Sequence, residues 1–568
     1  MAAARPVSPI AQLLCVCGLV SVVFGFALDA VPSVGGQGDG NQAPAQAPRF
    51  PGWPKDTQPE AVLVITGQTY GYLQPCGCSR PQLGGLERRA NFMATLKAAG
   101  WPVAGVDLGD LLPVESLIPQ QGIMKYVTTL TALRTMGYIA VGLGKAEFAN
   151  GLFHILDQLA AQKTPLPAIV CGNVGSFIGG EFTPRADAFP GPNGKPAVGL
   201  VEVAQVGTIP VGITSVVAPS VAKEVGALGR KTLVNFSSIT DELKAAVKEL
   251  TAHPQKPQLN VLLVQGTLAE ARQIPGEFPL FDVIVCLSPE PLPPPAPTTI
   301  AGAAGRKTLV VQVGWKGQRV GVLGIFKRPA GGFDLNYHVA ALGEEYVTPG
   351  PEDKARSLNP ILGLLDQYAE RVKVENLLNQ LKPVPHPAQT QDAKLSFVGS
   401  EKCFTCHAAE TAKWTDSAHS HAMEALETLA KRPAQRNHDP ECVVCHTVGF
   451  GYRTGYQNAS ATPHLRHVGC ESCHGPGSGH VANPKDGKLL ALQSPWRKAR
   501  TDRLPTLATM EKLAKLSESD RARYPLTEAE TRMVKAVSNQ CQSCHDSEND
   551  PLFDLYTYWP KIHHGSRK

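Results

Sequence analysis

Four times in this 568-residue chain a pair of cysteines three positions apart is followed directly by histidine: Cys403/Cys406/His407, Cys442/Cys445/His446, Cys470/Cys473/His474 and Cys541/Cys544/His545. Two thiols at that spacing form thioethers with the two vinyl groups of one haem, and the adjacent imidazole is then held beneath the iron as proximal ligand. The pattern predicts four covalently attached c-type haems, with His407, His446, His474 and His545 as proximal ligands. The competing reading is a four-cysteine zinc ribbon from Cys442/Cys445 and Cys470/Cys473. Its spacing is long, and zinc gives no reason for a histidine after every second cysteine.

Eight more histidines follow residue 396, enough to fill four distal positions: His419, His421, His438, His464, His467, His480, His563 and His564. Some sit in suggestive places, in WTDSAHSH after the first motif, in HGPGSGH after the third and in YWPKIHHG near the end. The plainer role for any one of them is contact with a propionate or with water. A segment of about 170 residues carrying four porphyrins has little room for an ordinary apolar core, so the haems are expected to supply much of its buried surface.

Residues 396–568 resemble the tetrahaem cytochrome c-554 family through CFTCH…WTDSAHSHA, PECVVCHTVGFG, VGCESCHGPGSGH and CQSCHD…YWPKIHH. The resemblance implies a mainly helical domain organised by closely packed haems, electron transfer in the periplasm, and, in some relatives, one five-coordinate iron. It favours His421 (or His419), His480 and His563 (or His564) as distal ligands and leaves His446 without an obvious partner. An open iron there would bind a small nitrogen oxide, whereas His438, His464 or His467 would close it. Bis-histidine ligation suits a relay and an open position suits a catalyst, so ligation separates carrier from enzyme.

The first half must be positioned by other means. Short apolar runs at 62–66, 103–107, 138–143 and 168–171 alternate with helical patterns at 87–99 and 123–135, which argues an α/β domain. Stretches 198–217 and 308–326 read as hairpins about glycine-containing turns, 260–264 and 282–286 as buried strands, and Pro360 opens a connecting helix reaching about residue 381.

Residues 61–348 resemble the calcineurin-like metallophosphoesterase domain of the periplasmic 5′-nucleotidase family in strand order, in LGGLERRANF, in VDLGDLL and in LRTMGYIAVGLGKAEF. This implies an α/β sandwich and, in the family, two metal ions that activate water. Here the metal-binding positions read Gln68-Thr69-Tyr70, Lys145-Ala146 before Glu147, Gln265, and 287–290, and Asp110 alone remains. One carboxylate does not hold two divalent ions, and Lys145 puts a positive charge where a cation would sit. Four other cysteines, Cys76, Cys78, Cys171 and Cys286, fall at carboxyl ends of the expected strands. They read either as buried small residues with a local Cys76/Cys78 disulfide, or as a second site with Asp110 for a soft metal or for sulfur chemistry.

A charge-free run over residues 10–28 behind Arg5 reads as a secretory signal or an uncleaved membrane anchor, and 28–60 is a Gly/Pro-rich linker. The expected organisation is therefore signal or anchor at 1–27, linker at 28–60, degenerate metallophosphoesterase-like sandwich at 61–350, connecting helix and linker at 351–395, and a mainly helical tetrahaem domain at 396–568. A net charge of +5 and 6% aromatic residues argue against nucleic-acid binding. The expectation is an exported electron carrier acting between periplasmic redox proteins, its first domain a docking module. A multihaem oxidoreductase acting on a small nitrogen or sulfur compound, and a metal-dependent phosphoesterase, are the enzyme-class alternatives.

Overall fold

In the computed structural model, residues 50–564 are described apart from 76–80, 114, 163–165, 179, 192–193, 230–232, 303–305, 431, 433, 500–501 and 548. The expected signal or anchor, the linker up to residue 49, and Cys76 and Cys78 lie outside the described residues.

Fifteen strands follow in chain order: β1 Ala61–Thr66, β2 Val103–Asp107, β3 Tyr138–Gly142, β4 Ala168–Val170, β5 Val174–Ile178, β6 Glu181–Pro184, β7 Val201–Val206, β8 Ile209–Val217, β9 Val234–Phe236, β10 Leu259–Gln265, β11 Val283–Cys286, β12 Thr298–Ala301, β13 Lys307–Gln312, β14 Arg319–Lys327 and β15 Phe333–Ala341. They make one six-stranded sheet in the order β15-β14-β1-β2-β3-β4, a second in the order β12-β13-β11-β10-β8-β7, and a small sheet β6-β5-β9. Side chains alternate across each sheet because successive residues of a strand point to opposite faces. In β1, Leu63 and Ile65 join a core cluster shared with Val261 and Leu263 of β10, whereas Val62 and Val64 face the other way. The two sheets thus enclose one apolar layer. Outside the first sheet pack helices Leu86–Ala98, Pro119–Met136 and Pro360–Val374, and outside the second Ile239–Ala252 and Leu268–Glu277.

This is the mixed α/β sandwich that the alternating pattern and the resemblance led one to expect. One local expectation is overturned. Segment 308–326 is no hairpin, because β13 belongs to the second sheet and β14 to the first. The six residues between them cross from sheet to sheet, with Gly314 and Gly317 at positive φ and Trp315 Nε1 donating to the Ser288 carbonyl at 2.8 Å. The hairpin is instead β14–β15, paired from Arg319↔Ala341 to Lys327↔Phe333. The helix starting at Pro360, N-capped by Asn359, is no free connector either: Ile361, Leu365, Tyr368 and Val372 are buried in the outer layer of the first sheet.

From residue 387 onward the chain is short helices and turns, the longest helix being Glu528–Cys541. Its two apolar clusters are small, one about Phe397, Met423, Val443 and Leu465, the other Met510, Met533, Val537 and Leu555. No helix of the described residues is long and apolar enough to cross a membrane.

Candidate metal centres

The second and third Cys-x-x-Cys-His runs lie wholly within helices, Pro440–His446 and Cys470–His474, where the first cysteine and the histidine, four residues apart, fall on the same side, whereas the first and fourth leave the helix before their histidine. The second motif forms helix Pro440–His446, with Asp439 as N-cap accepting from the Glu441 amide at 2.9 Å and proline in the first turn. The fourth ends helix Glu528–Cys541, which starts from a Thr527/Glu530 capping box. In the first and fourth, the histidine amide donates back to the carbonyl of the first cysteine, at 3.0 and 2.9 Å.

Cys406 stands apart from the other motif cysteines. It is exposed, whereas the other seven are partly buried. The reason is local. Helix Glu401–Phe404 ends before Cys406, which lies in the following turn, its amide donating to the Cys403 carbonyl at 3.2 Å, and only Cys403 of this motif reaches another motif's thiol. The chain alone therefore leaves the Cys406 side of the first motif open to solvent, a difference that the shared spacing does not encode.

Three of the four motif histidines face a second imidazole. Ring centroids are 6.3 Å apart for His407 and His480, 6.1 Å for His545 and His419, and 6.1 Å for His474 and His564. Two imidazoles that each bind one metal through a nitrogen at about 2 Å, on opposite sides, have centroids about 6 Å apart. All three pairs fit an iron held between two rings. Among the described residues no second imidazole stands so near His446. Burial pushes the titration of His419, His446, His474 and His480 below the usual histidine range, favouring the neutral, ligating form. The alternatives fall elsewhere: His421 is exposed with Nδ1 3.3 Å from Glu424, His467 Nδ1 accepts from the Met423 amide at 3.3 Å, and His563 packs on Trp559.

The other ring nitrogen is also engaged. His446 Nδ1 lies 2.5 Å from the Ala422 carbonyl, His474 Nδ1 2.7 Å from the Gln493 carbonyl, and His545 Nδ1 2.7 Å from the Asp550 carboxylate. The thiols of Cys403 and Cys470 meet, as do those of Cys445 and Cys544, and Cys473 lies near Cys541 and Cys544. The motifs thereby follow one another in space in the order first, third, fourth, second. A zinc ribbon pairing Cys442/Cys445 with Cys470/Cys473 does not form, since Cys445 and Cys470 face other partners. Among the described residues no cluster of His, Cys, Asp or Glu is set to hold a metal by itself.

The stretch just before the second motif is fastened to the α/β layers. Arg432 donates to the Thr348 and Gly350 carbonyls at 2.6 and 2.8 Å and pairs with Glu352 at 2.8 Å, and Gln435 donates to Glu370 at 2.7 Å. Gln121 donates to Asp439 at 2.7 Å and to the Tyr368 hydroxyl at 2.9 Å, and Lys125 forms an ion pair with Glu441. Burial alone would lower the Lys125 ammonium, but Glu441 and Asp439 hold it above its usual range. Nothing in the sequence marks Gln121 or Lys125, which read as one face of an amphipathic helix.

At the carboxyl ends of β1, β2, β3, β10 and β11, Gln68, Tyr70, Asp110, Glu147, Gln265 and Ser288 come together. They satisfy one another. Gln68 donates to the Ser288 carbonyl at 3.1 Å and to the Tyr70 hydroxyl at 3.0 Å, and accepts from the Ser288 amide at 2.8 Å. Glu147 accepts from the amides of Asp110, Leu111, Leu112 and Gly144 at 3.0, 2.7, 3.4 and 2.8 Å, and Asp110 accepts from the Ala146 amide at 2.9 Å. Lys145 pairs with Glu224. Gln68, Tyr70 and Asp110 all adopt positive φ, so the backbone is strained at this edge. Burial raises both carboxyls above the ordinary range, and Asp110 raises Glu147 further. Cys171 and Cys286 are not brought together: Cys171 is buried outside the first sheet, Cys286 outside the second, and burial pushes each thiol up to about 12.

Residues 402–475, which contain the first three motifs, match the family described as cytochrome c554 and c-prime; the fourth motif lies beyond the match. Cytochrome c-554 of Nitrosomonas europaea is 42% identical over 99 residues, 16% of this chain and 42% of that one. The reduced structure of that organism's cytochrome c554 aligns at 30% identity over 27% of this chain and 65% of its own, with a TM-score of 0.17. Over the amino-terminal half, the 5′-nucleotidase precursor from Thermus thermophilus aligns at 21% identity over 57% of this chain and 60% of that one, with a TM-score of 0.43. The chain spans less than two thirds of each of these relatives. The two halves are thus similar to two different groups of proteins, the carboxy-terminal one to c-type cytochromes.

Proposed function

We propose that residues 396–568 bind four c-type haems and relay single electrons between redox proteins of the periplasm, and that the α/β sandwich of residues 61–350 is a docking module without catalytic metal. The observation that carries this reading is the set of three imidazole pairs 6.1–6.3 Å apart, each containing one motif histidine. Each haem, when bound, supplies a one-electron ferric/ferrous couple. The chain's part is to hold it: His480, His564 and His419, which face His407, His474 and His545, would serve as the second ligands, and two fixed rings would limit rearrangement on reduction. The neighbouring thiols support a path in the order first, third, fourth, second. In the sandwich, the engaged carboxylates and the Gln68–Ser288 contacts support loss of hydrolase chemistry.

A second reading is favoured by one feature. His446 has no facing imidazole among the described residues, which supports an open position there for a small ligand such as a nitrogen oxide. Electron paramagnetic resonance on protein with four haems by pyridine haemochrome tests both: three low-spin ferric signals and one high-spin signal that shifts with nitric oxide are expected. His480→Ala, His419→Ala and His564→Ala should each turn one further site high-spin, whereas His421→Ala and His563→Ala should not. Four low-spin signals would remove the second reading, and loss of a low-spin signal in His421→Ala would overturn the ligand assignment.

A further inference from the structure

The four motif histidines differ in what their second nitrogen touches. For His446 and His474 it is a backbone carbonyl, and for His407 the Glu410 carboxylate stands 4.0 Å away, beyond hydrogen-bond range. For His545 it is a carboxylate oxygen of Asp550 at 2.7 Å, from a side chain only 6% exposed. We infer that Asp550 is a positioning residue that holds the His545 ring and makes the fourth haem the more reducing partner in the chain of motifs.

This rests on haem attachment at Cys541/Cys544 and ligation by His545. With Nε2 given to the iron, Nδ1 carries the ring proton and donates to Asp550. A buried carboxylate is a stronger acceptor than a carbonyl, so the ring gains imidazolate character and becomes a stronger donor to the metal. Stronger donation stabilises ferric over ferrous iron and lowers the reduction potential. Asp550 is fixed for the task. Its other oxygen accepts from the Tyr558 hydroxyl at 3.2 Å, and Phe553 stacks on the His545 ring with centroids 5.2 Å apart. Because Cys544 meets Cys445, this haem adjoins the second motif, whose His446 faces no second imidazole among the described residues. A lowered potential at the fourth site favours electron delivery to that neighbour.

The test is a spectroelectrochemical titration of the full chain with all haems attached, followed site by site through the low-spin and high-spin signals. Asp550→Asn keeps the shape and removes the charge. It should raise the potential of one couple by at least tenfold in its reduction equilibrium, equivalent to 59 mV for one electron, and leave the other three in place. Asp550→Glu should restore most of the effect. Tyr558→Phe frees the carboxylate from a competing donor and should move the same couple the opposite way, by less. Two results would overturn the proposal: four unmoved couples in both Asp550→Asn and Tyr558→Phe, or a uniform shift of all four. Wild-type protein with fewer than four haems would instead sink the underlying attachment reading, which the haemochrome count reveals separately.

Discussion

The α/β sandwich and the motif-bearing region bury apolar surface in different ways. In the sandwich, a continuous layer between two six-stranded sheets and two outer layers hold dozens of fully buried aliphatic side chains. The later region has two small clusters among the described residues, and its motif cysteines are partly exposed, Cys406 most of all. The contrast teaches where stability resides. The first region should fold on its own hydrophobic effect, whereas the second is expected to depend on what its cysteines and histidines bind.

The largest expected effect breaks the molecule along that line. Protein produced without haem attachment should keep a protease-resistant core ending near residue 380 and lose protection from there onward, as read by limited proteolysis with mass spectrometry. Equal resistance of both regions would end the comparison.

A smaller effect tests the seam. Lys125→Met leaves Glu441 and the buried Asp439 without their cation. The expected cost is about 2–3 kcal/mol, below the usual range for a broken buried pair because Glu441 is 35% exposed. A double-mutant cycle with Glu441→Gln should recover most of it in thermal unfolding followed at the second motif, and additive losses would show that the pair is not coupled.

The smallest effect lies inside the sandwich. Asp110 and Glu147 have folded-state pKa values raised by burial, so the native state holds their protons longer than the unfolded chain does. Stability of the sandwich should therefore fall as pH rises from the ordinary carboxylate range toward neutrality. Asp110→Asn removes one carboxyl and its repulsion on Glu147, and should flatten that fall by about 1–2 kcal/mol. Hydrogen exchange of β1–β3 at pH 5 and pH 8 measures it, and an unchanged slope would contradict the assignment.

Much of this was legible in the residues themselves. Periodicity placed β1, β2, β3, β10 and β11 within a residue or two, because central strands carry their own apolar signature. Segment 308–326 misled because two β-rich runs about a glycine look alike whether the chain folds back or crosses to another sheet. Spacing located the four Cys-x-x-Cys-His motifs but not the rings that face three of their histidines: His419 and His421 are two residues apart, and the choice between them depends on His545, more than a hundred positions away. Nor did it separate Cys406 from its seven counterparts, because exposure depends on what lies beside a turn and not on the turn's own residues. Gln121, Lys125 and Asp550 carried no signal at all, since their roles exist only across contacts that periodicity does not encode.

The fastening of residues 432–441 has a consequence for biogenesis. A chain emerges amino terminus first, and its domains acquire structure in that order. The sandwich is complete well before any Cys-x-x-Cys-His run has been made. When the second run arrives, its helix meets a ready surface of Gln121, Lys125, Glu352 and Tyr368 that selects its orientation. The others have less of a template: the fourth meets the sandwich where Gln82 donates to the Asn549 carbonyl at 3.1 Å, and the rest of their order is expected to come from one another. Maturation is thus expected to be staged, with the second site the first to be oriented.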